Sequence, residues 1–168
     1  LPTFLEIAGE PDIVAKVKKG YKAIGRTYKN HIDGFGLVSY LTGKSKESPR
    51  NFFFYISDDG DIMAIRMQDW KVVLMEQRAK QLACWAEPFV KLRVPKMFHL
   101  RRDPFEKAQH NATIYNDWVL DRAFVIVPIQ GLAAQFLQTM KDYPPSQSPG
   151  SFNLSKIEAK LRDATSGN

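Results

Sequence analysis

This chain of 168 residues is poor in cysteine and histidine, with a single cysteine, Cys84, and three histidines. One cysteine excludes an internal disulfide bond, and a zinc cluster would need more thiols or more imidazoles close together. Because lone cysteines are most often small buried apolar residues, we expect Cys84 to be buried rather than to be a reactive thiol. Long apolar runs are also missing. The longest in the C-terminal half, 123–129, is far too short for a membrane span, so we expect no membrane partner.

Familiar catalytic motifs are absent as well. The sequence contains no Gly-x-Ser-x-Gly elbow, no Gly-x-x-x-x-Gly-Lys phosphate loop, no Gly-x-Gly-x-x-Gly and no His-Glu-x-x-His. The acidic stretch 57–61 lacks the alternating ligands and the terminal glutamate of a calcium loop, so it favours a plain hairpin turn. From the residues alone we assign no catalytic residue and no metal ligand. His31, beside Asn30 and Asp33 in a glycine-rich stretch, is a candidate for the rim of a substrate-binding cleft.

The positive charge is spread along the chain rather than concentrated. The net charge is +6, which on its own invites a nucleic-acid interpretation. The densest basic groups, 16–22 and 101–102, are short, and no basic stripe with interleaved aromatic residues is present. We therefore interpret these lysines and arginines as a solvated surface and expect no nucleic-acid partner.

The stretch 51–76 organises the rest of the chain, because it is typical of three consecutive strands. Phe52 to Ile56 is an aromatic and β-branched run, and Ser57-Asp58-Asp59-Gly60 provides a tight turn. Two further runs follow, 62–67 and 70–76, separated by Gln68-Asp69. Because the first run does not alternate, we expect it to be a central strand covered on both faces.

The flanking segments predict helices and one more strand. A helix ends at Gly9, a second covers 12–19 and stops at Gly20, and 21–49 is a surface connector with one helical turn at 37–41. The segment 77–87 is a loop, and Pro95 precedes a fourth strand, 96–100, at an edge or a strand start. Apolar spacing over 113–140 predicts a helical cover with a kink or restart at Pro128, followed by a last helix from Asn153. The fold class is therefore α+β: a small antiparallel sheet of about four strands packed against C-terminal helices.

Several short motifs occur in a characteristic order across nearly the whole chain. They are Leu1-Pro2-Thr3-Phe4-Leu5 with Ala8-Gly9, Ile32-Asp33-Gly34 through Leu41-Thr42-Gly43, Pro49-Arg50, Ala64-Ile65-Arg66 with Asp69-Trp70-Lys71, and Phe98-His99-Leu100 with Asp103-Pro104-Phe105-Glu106. In this order, the sequence resembles the C-terminal region of a sulfatase, of the bacterial arylsulfatase-like kind in the alkaline-phosphatase superfamily. The resemblance implies a four-stranded antiparallel sheet packed with a helix. This agrees with the fold class predicted above from the residue pattern.

The resemblance also implies a function for the parent protein. Such an enzyme hydrolyses sulfate esters with a formylglycine made from a Cys/Ser-x-Pro-x-Arg motif, and calcium and basic side chains stabilise the developing charge. Cys84 lacks the Pro and Arg that this modification needs, and the family's metal ligands precede the Leu-Pro-Thr motif. We therefore expect no cofactor in this fragment, with calcium and formylglycine in the parent's N-terminal catalytic domain.

The resemblance divides the chain into two parts. Residues 1–50 form a helix and connector leading from the N-terminal sulfatase domain, and residues 51–168 form the C-terminal sheet-and-helix subdomain. Lys29 and His31 then lie at the rim of the active-site cleft, while the fragment alone is inactive. The alternative is a stand-alone interaction module that self-associates through exposed apolar surface. The compartment stays open between cytoplasm and periplasm.

Overall fold

The structure, a computed structural model, describes residues 1–144. Six α-helices and six β-strands are found in this part of the chain. In chain order they are α1 Pro2–Ile7, α2 Ile13–Lys19, β1 Tyr21–Ala23, β2 Arg26–Tyr28, α3 Val38–Leu41, β3 Phe52–Ile56, β4 Ile62–Met67, β5 Trp70–Glu76, β6 Val90–His99, α4 Ala108–Asn111, α5 Tyr115–Leu120 and α6 Ile126–Asp142. Two 3₁₀ turns, Gln81–Trp85 and Ala123–Val125, complete the set. The predicted last helix from Asn153 lies outside the described residues.

The centre of the fold is a four-stranded antiparallel sheet in the order β3-β4-β5-β6. The three strands predicted from 51–76 are confirmed, as is the α+β class. The turn between β3 and β4 is closed by the backbone, since the Ser57 N–H donates to the Asp61 carbonyl at 2.9 Å and Gly60 adopts a φ of 88°. Glycine fits that left-handed conformation without steric cost.

One face of the sheet forms the hydrophobic core with α5 and α6. The pairing of Ile65 with Val72, and of Val72 with Met97, places these three side chains in one row across the sheet. Val119, Val125 and Ile129 cover that row from the helices, and all six residues are buried. This arrangement removes a continuous apolar strip from water, which is the main stabilising contribution in a domain of this size.

The predicted central position of β3 is wrong, because β3 is an edge strand of the sheet. Its lack of alternation has a different cause. Phe54 points toward the helices and stacks on Phe136 with ring centroids 4.3 Å apart. Phe53 and Tyr55 point to the opposite face, where the Arg50 guanidinium and the Lys71 ammonium lie over their rings at 5.0 and 4.6 Å. The strand therefore has aromatic residues on both faces: those on one face pack in the core, and those on the other make cation–π contacts.

The other edge of the sheet is β6, which is longer than the predicted strand 96–100. Its edge position is confirmed, and Pro95 lies within it, where a missing N–H is tolerated. The pairing of β5 with β6 shifts register between Val73 and Met75. At the helical side, α6 begins at Ile126 after a break, so the predicted restart near Pro128 is confirmed, with Pro128 in the first turn of the helix.

The predicted connector 21–49 contains a hairpin that the sequence did not reveal. Strands β1 and β2 pair antiparallel, with Ala23 opposite Arg26. The two turn residues, Ile24 and Gly25, both have positive φ, 51° and 71°. A turn of this geometry usually carries Asn-Gly or Asp-Gly, so the Ile-Gly pair gave no recognisable signal. The predicted short helical turn is confirmed as α3.

The segment Ala123–Asp142 is the one helix in the described part of the chain that has the length and composition to cross a membrane. One side of this helix belongs to the core, because Ile129 and Phe136 are buried against the sheet. The expected absence of a membrane partner stays a prediction.

Candidate functional site

The two predicted rim residues, Lys29 and His31, line the same surface cavity. This cavity, which we call the rim cavity, has a volume of about 750 Å³ and lies between the connector after β2 and the C-terminal end of α6. Asp33, Thr139 and Tyr143 line it as well. The sequence placed Lys29 and His31 near each other because they are two residues apart. It did not indicate that the end of α6 forms the opposite wall.

Within the rim cavity, His31 is held by a carboxylate. Its Nε2 lies 3.2 Å from Asp33 Oδ1, and its ring is 6.1 Å from the ring of Tyr143, centroid to centroid. The Nδ1 atom is buried and has no hydrogen-bond partner within residues 1–144. One ring nitrogen therefore faces the Asp33 carboxylate, and the other lies on the buried side of the ring. Asp33 and Tyr143 are therefore members of the candidate site that the sequence alone did not identify.

Helix α1 fixes the connector that carries these residues. The Thr3 hydroxyl donates to the Phe35 carbonyl at 3.1 Å, and the Glu6 carboxylate accepts from the Val38 N–H at 3.3 Å. A Cβ atom added at Gly34 would lie 2.8 Å from Pro2 Cδ, so this backbone approaches α1 as closely as only glycine allows. The part of the connector from Gly34 to Val38 is consequently held against α1 by these contacts.

The outer side of α1 is apolar and exposed. Leu1, Phe4 and Ile7 are 72%, 75% and 69% exposed and lie on the same side of the helix. Contiguous apolar surface of this kind usually marks a contact with another protein surface. Because α1 is hydrogen-bonded to the connector, a partner on this side would be held at a fixed position relative to His31.

The prediction for Cys84 is wrong, since its side chain is exposed. It lies in the 3₁₀ turn Gln81–Trp85, whose residues pack on nothing in the core, and the neighbouring Trp85 is 84% exposed. His99 is partly buried, and its ring makes an edge-to-face contact with Trp70, with centroids 4.9 Å apart. Within residues 1–144, no group of three or more His, Cys, Asp or Glu side chains is placed to hold a metal ion.

Comparison with known proteins adds no family assignment. No protein-family model matches this chain, and a search of curated proteins gave no significant match. The functional interpretation therefore depends on the motifs of the sequence and on the geometry of the rim cavity and α1.

Proposed function

We propose that this chain is the C-terminal part of an arylsulfatase-like hydrolase. In the complete enzyme it supports the catalytic domain and places Lys29 and His31 at the rim of the substrate cleft. Formylglycine and calcium, and with them the chemical step, belong to the N-terminal domain of the parent. Support comes from the ordered sequence motifs and from the four-stranded antiparallel sheet with its helix, which is the fold that the resemblance implies.

The observation that carries this proposal is the exposed apolar side of α1, fixed by hydrogen bonds to the connector that bears both rim residues. A catalytic domain packed on Phe4 and Ile7 would bury apolar surface and would face the rim cavity with little freedom of movement. Such burial contributes about 25 cal/mol for each Å² removed from water. The same contact would thus both stabilise the assembly and position the rim.

The proposed role of Lys29 and His31 is electrostatic. Sulfate esters are anions, and an exposed ammonium at a cleft entrance raises their local concentration and their association rate. Lys29 is exposed, whereas His31 is held by Asp33 and defines the wall beside it. Neither residue takes part in bond cleavage in this proposal.

Alanine variants of the full-length enzyme test the rim role. Lys29→Ala should lower kcat/KM for an aryl sulfate several-fold at low ionic strength, and the loss should shrink in high salt because screening weakens steering. His31→Ala should also lower kcat/KM for the aryl sulfate, and this decrease should depend little on the salt concentration. The matched control is Lys22→Ala, an exposed lysine on β1 that does not line the rim cavity. Unchanged kinetics for both Lys29→Ala and His31→Ala would remove the rim role.

The second candidate function is a stand-alone interaction module that self-associates. The same exposed side of α1 favours it, because Leu1, Phe4 and Ile7 could pack against a second copy. This candidate predicts concentration-dependent dimers of the 168-residue chain in analytical ultracentrifugation, abolished by Phe4→Glu. A chain that stays monomeric at high concentration would contradict it.

A further inference from the structure

An apolar cleft lies next to the rim cavity, between the connector, α2, β3 and the inner side of α6, and His31 and Asp33 line both. It has a volume of about 540 Å³. We call it the phenylalanine cleft, after four of the five phenylalanines that line it: Phe35, Phe52, Phe54 and Phe136. Consecutive rings of this set contact each other, with centroids 5.8, 5.5 and 4.3 Å apart. Its size lies in the range of ordinary small-molecule sites.

The charges around the phenylalanine cleft favour an anion. Lys18 on α2 and Arg50 before β3 both line it and are exposed. Neither forms an ion pair within residues 1–144. Asp33, the one carboxylate of the lining, is engaged with His31. The Arg50 guanidinium also lies over the Phe53 ring, 5.0 Å from its centroid. The cleft thus combines an apolar wall with two cations that no carboxylate pairs within residues 1–144, and a ligand complementary to it has an apolar body and one negative charge.

We propose that the phenylalanine cleft binds an amphipathic carboxylate, whose alkyl chain packs on the four rings and whose carboxylate is held by Lys18 and Arg50. The alkyl chain is complementary to Phe35, Phe52 and Leu132, which are only partly buried and still present apolar surface to the cleft. A purely polar anion would leave that surface exposed, and a neutral hydrocarbon would leave both cations unpaired. This inference is independent of the sulfatase proposal, because it concerns this chain alone.

Calorimetric titration of the full 168-residue chain with dodecanoate, kept below its micellar concentration, tests the proposal. One saturable site is expected, with an affinity that rises up to about fourfold for each methylene between octanoate and dodecanoate. Lys18→Glu should weaken dodecanoate binding about tenfold, since it reverses a charge beside the carboxylate. Lys19→Glu is the matched control: it makes the same change one residue further along α2, does not line the cleft, and should alter the affinity less than twofold.

The position of the ligand is tested separately by NMR. Intermolecular NOEs are expected from the alkyl chain of dodecanoate to the methyl groups of Leu132 and to the ring of Phe52. Three results would overturn the proposal: no saturable binding, equal loss of affinity in Lys18→Glu and Lys19→Glu, or binding without these NOEs. The last would follow if another part of the chain or a second copy filled the cleft.

Discussion

The Tyr115 hydroxyl makes two hydrogen bonds with the backbone of a single residue, Met97. It accepts from the Met97 N–H and donates to the Met97 carbonyl, both at 3.0 Å. Met97 lies on β6, the edge of the sheet, so these two backbone groups point away from β5 and would otherwise be unpaired. The tyrosine on α5 therefore closes the edge of the sheet where the helices cross it, which protects a strand edge from pairing with another chain.

Removal of this hydroxyl should destabilise the domain. Tyr115→Phe keeps the ring but leaves the backbone groups of Met97 without partners, and Met97 is 1% exposed. Unsatisfied buried polar groups cost about 1–3 kcal/mol each, so for two groups we expect a loss of at least about 2 kcal/mol in the free energy of unfolding measured with urea. Tyr40→Phe, at an exposed tyrosine, is the control and should change little. Equal stability of Tyr115→Phe and the parent would show that the two bonds contribute nothing.

The same residue gives a dependence on alkaline pH. Burial raises the pKa of Tyr115 above its ordinary value of 10.0, against an opposing effect of the hydrogen bond from Met97. A group whose pKa is raised on folding stabilises the protein below its unfolded pKa, and that contribution is lost as the pH rises through the folded pKa. Above pH 10 the parent should therefore lose stability relative to Tyr115→Phe. A constant difference from pH 8 to pH 11 would contradict this.

Glu76, at the end of β5, gives the opposite dependence at acidic pH. Hydrogen bonds from Lys96 and then Arg78 lower the pKa of its carboxyl below 4.5. A carboxyl whose pKa is lowered on folding stabilises the protein above its unfolded pKa, and this is lost as the pH falls through the folded pKa. Glu76→Gln should therefore be less stable than the parent at pH 7, and the difference should close as the pH drops below 4.5. Glu87→Gln, at an exposed glutamate of the following loop, should show no such convergence.

The hairpin turn at Ile24 and Gly25 should tolerate a stabilising change. Ile24 is 95% exposed and has a φ of 51°, a conformation that costs energy for a β-branched side chain. Ile24→Asn creates the Asn-Gly pair preferred in such turns and should raise the free energy of unfolding by about 0.5–1 kcal/mol. Ile24→Val, which keeps the branching, is the control and should not. If Ile24→Asn lowered stability instead, the side chain would have a packing role that these contacts do not show.

Much of the fold could be predicted because local signals agreed with tertiary packing. The turn at 57–60 and the polar break at 68–69 separated three strands, and Pro128 marked the restart of α6. The predicted position of β3 was wrong because a continuous aromatic run does not show what covers each face of the strand. The same run occurs whether helices cover both faces or cation–π contacts cover one of them. The β1–β2 hairpin was missed because Ile-Gly is an unusual pair for its turn, and the burial expected for Cys84 rested on a general tendency of the residue type.

The candidate site was only half visible in the sequence. Lys29 and His31 are close in the chain, and their neighbours suggested an ordered, polar connector. Tyr143 and the end of α6 are more than 100 residues away, and no local pattern indicates which part of the connector they approach. Likewise, the phenylalanine cleft arises from residues on four separate segments, so its shape depends on how α2, the connector, β3 and α6 pack.

The most direct test of the central claim is the mass and activity of the full-length product of the gene. The product should be purified and assayed with a generic aryl sulfate in calcium-containing buffer, and its mass should be measured with its tryptic peptides. We expect turnover together with the mass defect of a formylglycine in a Cys/Ser-x-Pro-x-Arg peptide upstream of Leu1. A product without that peptide that hydrolyses no aryl sulfate would contradict the proposed function and leave the interaction module in its place.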